Sequence, residues 1–186
     1  SNVVASVQDV TKVMNKWNVE QSNVESVLDK LAYTAQASGA SVNSLSSSVI
    51  SGAATYQQLG LSLDNTISML GELELAGVNA SSAMTGMRQA VNNAAEQGVE
   101  ANAYFLDTIE SISNAATETE AAAIAVDAFG SRAGQELALA IRSGTISVET
   151  FNSTLEEADG TLRKTAEAAG RLPFDTLFAR HRQDYQ

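Results

Sequence analysis

Cysteine is absent from the chain. That excludes a disulfide framework, a thiolate metal centre and a thiol nucleophile, and it leaves the redox compartment undetermined. Aromatic residues make up only 5% of the sequence, and there is one histidine and one proline. Small side chains pack helices closely but bury little area each, so a thin core of modest stability per residue is expected. Positive charge is also scarce: 11 Lys and Arg stand against 22 Asp and Glu, a net −11. Phosphate backbones need a basic patch, so no direct nucleic-acid binding is expected, and anionic membrane surfaces are disfavoured for the same reason. No uncharged apolar run approaches the roughly 18 residues that would span a bilayer, so no membrane segment is expected in this piece.

The 186 residues suit one domain or two small ones and suffice to bury a core without staples. The opening Ser1-Asn2-Val3 has no initiator Met and no signal-peptide pattern, which reads as a piece of a larger protein behind a vector-derived Ser-Asn. Charge is unevenly placed. Residues 171–186 hold Arg171, Arg180 and Arg182 against Asp175 and Asp184, or +1, so residues 1–170 carry −12.

Helical spacing of apolar residues runs through most of the chain. Val3, Val7, Val10, Val13, Met14 and Trp17 predict a first helix, and Asn18 to Asn23 a polar break. Val24 to Ala35 predict a second helix ending at Gly39. Val42 to Ala53 predict a third that passes through Gly52 and ends near Gly60. A fourth runs from Leu63 to Leu75, a fifth from Ala83 to Ala94, and a sixth from Tyr104 to Ile112. Thr117-Glu118-Thr119-Glu120 has the form of a capping box, with Thr117 as N-cap and Glu120 at N3. It opens a seventh helix that Gly130 interrupts. An eighth reaches Ile141 and stops at Gly144, and a ninth starts at Ser147 and Glu149 and runs through Leu155. Asp159-Gly160 signals a turn, a last polar helix runs from about Thr161 to Ala169, and Pro173 ends regular helix. No segment shows strand alternation bounded by turns. The expected fold is all-α: about nine or ten short helices in a compact or hairpin-stacked bundle.

The recurring feature is the joint between helices. Gly39 is followed by Ser41, Gly60 by Ser62, Gly77 by Asn79 and Gly144 by Ser147. Glycine tolerates the left-handed conformation that closes a helix, and Ser and Asn accept from the free N–H groups that open the next. Successive glycines at 39, 60, 77 and 98 pulse without a strict period, so no solenoid is inferred.

Residues with catalytic potential are few. His181 lacks the companions of a zinc site, and no Gly-x-Ser-x-Gly elbow supports a Ser-His-Asp triad. The acidic pairs Glu72/Glu74, Glu118/Glu120 and Glu156/Glu157 are one or two residues apart and point in different directions on a helix, unlike two carboxylates facing across a sugar. Gly130-Ser131-Arg132-Ala133-Gly134 lacks the Lys-Ser/Thr ending of a phosphate loop and follows a helix, so a helix-to-helix corner with a close backbone contact is favoured for this segment. Met14, Met69, Met84 and Met87 are read as core filler. For Trp17 and Tyr56, a partly exposed anchor for a partner and core packing stand as alternatives. No catalytic residue, cofactor or metal is expected, and the chain is expected not to be an enzyme.

Gly60-Leu61-Ser62-Leu63-Asp64-Asn65-Thr66, then Leu70, Leu75-Ala76-Gly77 and Ser81 to Met87-Arg88, resembles the conserved region of phage tail tape measure proteins. Leu31-Ala32-Tyr33 to Val42 and Ala128-Phe129-Gly130-Ser131-Arg132-Ala133-Gly134 to Gly144 fit the same pattern. The resemblance covers about residues 20–168, and its specificity lies in the order and spacing of the joints. It departs at Ala83-Met84-Thr85-Gly86-Met87-Arg88, where many relatives have a more glycine-rich turn, and residues 171–186 match nothing in the family.

The resemblance implies a structural protein of a phage or prophage tail that sets tail length and acts in assembly through protein–protein contacts. Its implied partners are tail tube subunits, an assembly chaperone and baseplate or tip proteins; homo-oligomerisation is a separate expectation, since small-residue helices suit oligomeric bundles. The implied location is the virion tail, and the host cytoplasm during assembly. Residues 1–170 are then the helical domain, with two sub-bundles meeting near 98–116 as one arrangement, and 171–186 a tail, native linker or vector scar. A peptidoglycan-hydrolase module and a secreted bacterial helical interaction domain are the alternative readings.

Overall fold

A computed structural model describes residues 2–149 of the chain. The expected ninth helix beyond Glu149, the Asp159-Gly160 turn, the last polar helix, Glu156/Glu157, Pro173, His181 and the 171–186 tail lie outside the described residues. Among the described residues the structure has helices and no strand, so the all-α expectation holds. The helices are α1 (Asn2–Trp17), α2 (Val24–Ser38), α3 (Val42–Ser51), α4 (Ala53–Gln58), α5 (Leu63–Leu75), α6 (Ala80–Gln97), α7 (Ala101–Ser113), α8 (Glu118–Phe129) and α9 (Ser131–Arg142).

One expectation about a boundary is corrected. The third expected helix is two: it breaks at Gly52, which has φ −94° and ψ 6°. A Cβ there would stand 2.6 Å from Tyr56 Cε2 and 2.9 Å from the Ser48 carbonyl oxygen. Glycine lets the Tyr56 ring close over the backbone, and the chain bends around it. The polar break after α1 holds a 3-10 turn, Gln21–Asn23.

α5 is the spine of the first part of the bundle. It is buried continuously from Asn65 to Leu73, and a helix buried on all sides must be enclosed by others. α2, α3 and α6 enclose it. α1 lies on α2 and α3. The second part is α6 to α9, in which α8 and α9 form a tightly packed pair against α6 and α7. One contiguous core runs from Val10 to Ile146. Leu31, Leu45, Leu59, Ile67 and Leu70 fill its first part, and Phe105, Ile109, Phe129 and Leu137 its second.

The methionines are core filler as expected: Met14, Met69 and Met87 are buried and Met84 packs against the core. Tyr56 is fully buried, so it is no surface anchor. Burial pushes its hydroxyl above the ordinary value of 10.0, against the opposing pull of the Ser48 hydrogen bond and the Arg88 charge. The folded state therefore keeps a proton that the unfolded state loses, and stability falls as pH rises past about 10. Urea midpoints measured from pH about 9 to about 11 should decline, and Tyr56→Phe should flatten that decline. An equally steep decline in the variant would refute the assignment.

Candidate functional site

Joints and interhelical latches organise the described residues. At Gly60 the backbone is left-handed, φ +85°. Its N–H donates to the Gln57 carbonyl at 2.9 Å, and the next N–H, of Leu61, donates to the Tyr56 carbonyl at 3.0 Å. These two bonds form a Schellman closure, which a Cβ would strain. Leu61 then turns inward and is 4% exposed. Ser62 Oγ accepts the Asn65 N–H at 3.1 Å and starts α5. Closure, inward plug and cap thus occupy three consecutive residues.

Gly77-Val78-Asn79 repeats the device. The Val78 N–H donates to the Leu73 carbonyl at 2.8 Å, Val78 is 1% exposed, and Asn79 Oδ1 accepts from the Ser82 N–H at 2.8 Å. Gly39, Gly130 and Gly144 also have positive φ. Ser41 caps α3 through the Ser44 N–H at 3.0 Å. Ser147 lies just past buried Ile146, before the last described residues. Ser62→Ala and Asn79→Ala should each cost about 1 kcal/mol in urea unfolding, and a loss below roughly 0.3 kcal/mol would remove the capping role.

One left-handed closure among the described residues uses no glycine. Asn18 has φ +57°, and the Val19 N–H donates to the Met14 carbonyl at 2.9 Å. Asn visits the left-handed region more readily than other side chains do, and that was the available signal for a closure at the end of α1.

Gly130 and Gly134 do different things. Gly130, with φ +91° and ψ 162°, turns the chain from α8 into α9. Gly134 is one turn into α9, where a Cβ would lie 2.7 Å from Val126 Cα and N. The two helices touch backbone to backbone there. Thr117 Oγ1 accepts the Glu120 N–H at 3.1 Å, and Glu120 Oε2 accepts from the Ala116 N–H at 3.1 Å, one residue before the N-cap.

The latches were not legible beforehand. Four helices have their last carbonyls bonded by a side chain from elsewhere in the fold. Gln57 reaches the Lys16 carbonyl of α1 at 3.1 Å, and Arg88 the Ser51 carbonyl of α3 at 3.1 Å. Asn93 reaches the Asp127 and Ala128 carbonyls of α8 at 3.1 and 3.0 Å. Arg142 reaches the Ile112 and Ala115 carbonyls at the end of α7, at 3.1 and 3.0 Å. Trp17 Nε1 donates to the Val49 carbonyl at 2.8 Å, so this half-buried indole is tied into the fold. A cation at a helix C-terminus also meets its negative dipole end.

Glu118 and Glu120 are exposed at the start of α8, and Glu72 is largely buried in α5. Among the described residues, no group of three or more His, Cys, Asp or Glu side chains is placed to hold a metal ion. No helix among them is long and apolar enough to cross a membrane.

The described residues thus form an all-helical bundle with capped glycine joints. The model of the phage-related minor tail protein family matches residues 1–176, and the chain belongs to that family. It is a phage tail protein with a structural role in the tail. Comparison with curated proteins and with solved structures finds no match.

Proposed function

We propose that this chain is the conserved helical domain of a phage tail tape measure protein and works in tail assembly by protein–protein contact. Family membership over residues 1–176 carries the reading, and the ordered glycine joints support its finer part. A straight helix of 186 residues would extend about 280 Å at 1.5 Å per residue. The joints fold this chain back on itself instead. It is a head that docks to the tail tube, an assembly chaperone or the baseplate, or to further copies of itself, rather than the ruler that sets length.

In this reading the chain is not an enzyme. Glu120 serves the start of α8, and the joints serve architecture. The host cytoplasm is where assembly would occur, and the virion tail is its destination.

The test is capture of purified tail tube, chaperone and baseplate proteins from the same phage by the purified domain. Binding to at least one, at micromolar or better affinity, is the expected result. Loss of peptidoglycan turbidity on adding the domain, with no capture, would favour a hydrolase. Small-angle scattering should give a compact profile, and an extended coiled-coil profile would overturn the head assignment.

A further inference from the structure

We infer that the bundle is built from two cooperative units, α1–α5 and α6–α9, divided at the Gly77-Val78-Asn79 joint, and that the first opens while the second stays folded. The chain passes from one unit to the other once, through that joint. Helices α3, α4 and α5 meet α6, and no other helix pair makes more than marginal contact across the divide among the described residues. Contiguous supersecondary units joined by a narrow interface are the usual form of partial opening.

The seam rests on one helix of the second unit, α6, and is partly polar. Ser48 Oγ donates to the Ala80 carbonyl at 3.1 Å, and Arg88 reaches the Ser51 carbonyl at an exposed position. Met84 approaches Gly52, where its Cγ would lie 3.0 Å from a Cβ. α6 is held more intimately on its other side. Gly86 lies so close to α9 that a Cβ would be 2.9 Å from Ala133 Cβ and 2.7 Å from Leu137 Cδ1. Asn93 adds its two bonds to the end of α8. α6 therefore belongs with α7–α9, and the division falls at 77–79 rather than near 98–116.

The interiors differ in kind. Of the ten buried polar residues among those described, eight lie between Thr34 and Glu72; the others are Ser82 and Thr108. The Thr34 and Ser46 hydroxyls are buried without a hydrogen-bond partner. Burying polar groups offsets the gain from apolar burial, most of all where a partner is missing. The second unit instead packs Phe105 edge-on against Phe129, with ring centroids 5.9 Å apart. The polar interior makes α1–α5 the half that yields first.

Native-state hydrogen exchange in increasing urea tests this on the whole chain. Amides of α1–α5 should fall into one opening class, and those of α6–α9 into a second that exchanges about tenfold or more slowly. Trp17 is the sole tryptophan, and its emission should change at lower urea than the bulk of the helical ellipticity. Ile109→Val is mild enough to fold. It should speed exchange in α6–α9 about three- to tenfold and leave α1–α5 unchanged. A single class across both halves, α6 exchanging with α1–α5, or equal acceleration in both units would overturn the proposal.

Discussion

Gly134→Val is expected to abolish the native packing of α8 on α9 and to leave a chain that unfolds without a sharp transition. The reason is the identity of the atoms a side chain would meet. A Cβ at Gly134 lies 2.7 Å from Val126 Cα, 2.7 Å from Val126 N and 2.8 Å from Ala125 C. All three are backbone atoms, and no rotamer change can move them. Relief requires the two helices to separate, which breaks the contact that Gly130 sets up at the corner. Overpacking typically costs about 1–3 kcal/mol, and a clash confined to backbone belongs at or above the top of that range. Propensity runs the other way, since glycine inside a helix is about 1 kcal/mol worse than alanine, but it is the smaller term. Gly134→Ala should therefore lose stability as well, by less. Gly39→Asn is the control: open space surrounds that position, its φ is +85°, and Asn tolerates the conformation. Urea unfolding followed by circular dichroism would decide it. A Gly134→Val chain within about 0.5 kcal/mol of the parent would mean that the helices are not in backbone contact.

The joints were readable because they are local. A helix-closing glycine and a capping Ser or Asn act within a few residues, so Gly60-Leu61-Ser62 and Gly77-Val78-Asn79 announce themselves in one dimension. The break at Gly52 was not readable. What bends the chain there is the Tyr56 ring closing over the glycine backbone, and glycine inside a helical pattern is otherwise only a modest penalty. The latches were still less accessible. Arg88 and Ser51 are separated by 37 positions, and Arg142 and Ile112 by 30. Nothing in the spacing of either arginine says which helix end it will reach. The partition of the bundle was hidden for a related reason. α6 is amphipathic like its neighbours, and the unequal closeness of its two faces resides in Gly86, whose partners Ala133 and Leu137 lie on another helix.

Phe129→Ala should be the most damaging truncation in the second part of the bundle. Phe129 is 1% exposed and is the last residue of α8 before the Gly130 corner. Its ring meets Phe105 of α7 at an interplanar angle of 72°, an edge-on pair. Its Cβ lies 3.4 Å from where a Gly86 Cβ would stand, so it also fixes the approach of α6. Three helices therefore converge on one side chain. Truncation of a buried Phe costs about 3–5 kcal/mol, and the upper part applies when neighbours cannot close the gap. Ala125, Ala128 and Ala133 are all buried in this part of the core, and alanine has no length with which to reach into a cavity. A loss of that size is a large share of the roughly 5–15 kcal/mol that holds a domain folded. At about 2–4 °C per kcal/mol for a chain of this size, the midpoint should drop by about 6–20 °C. Phe129→Leu keeps most of the volume and should recover more than half of that. If α1–α5 and α6–α9 open separately, exchange in α1–α5 should change far less than exchange in α6–α9. A fall under about 1.5 kcal/mol for the alanine variant would show that the aromatic pair is not the centre of this core.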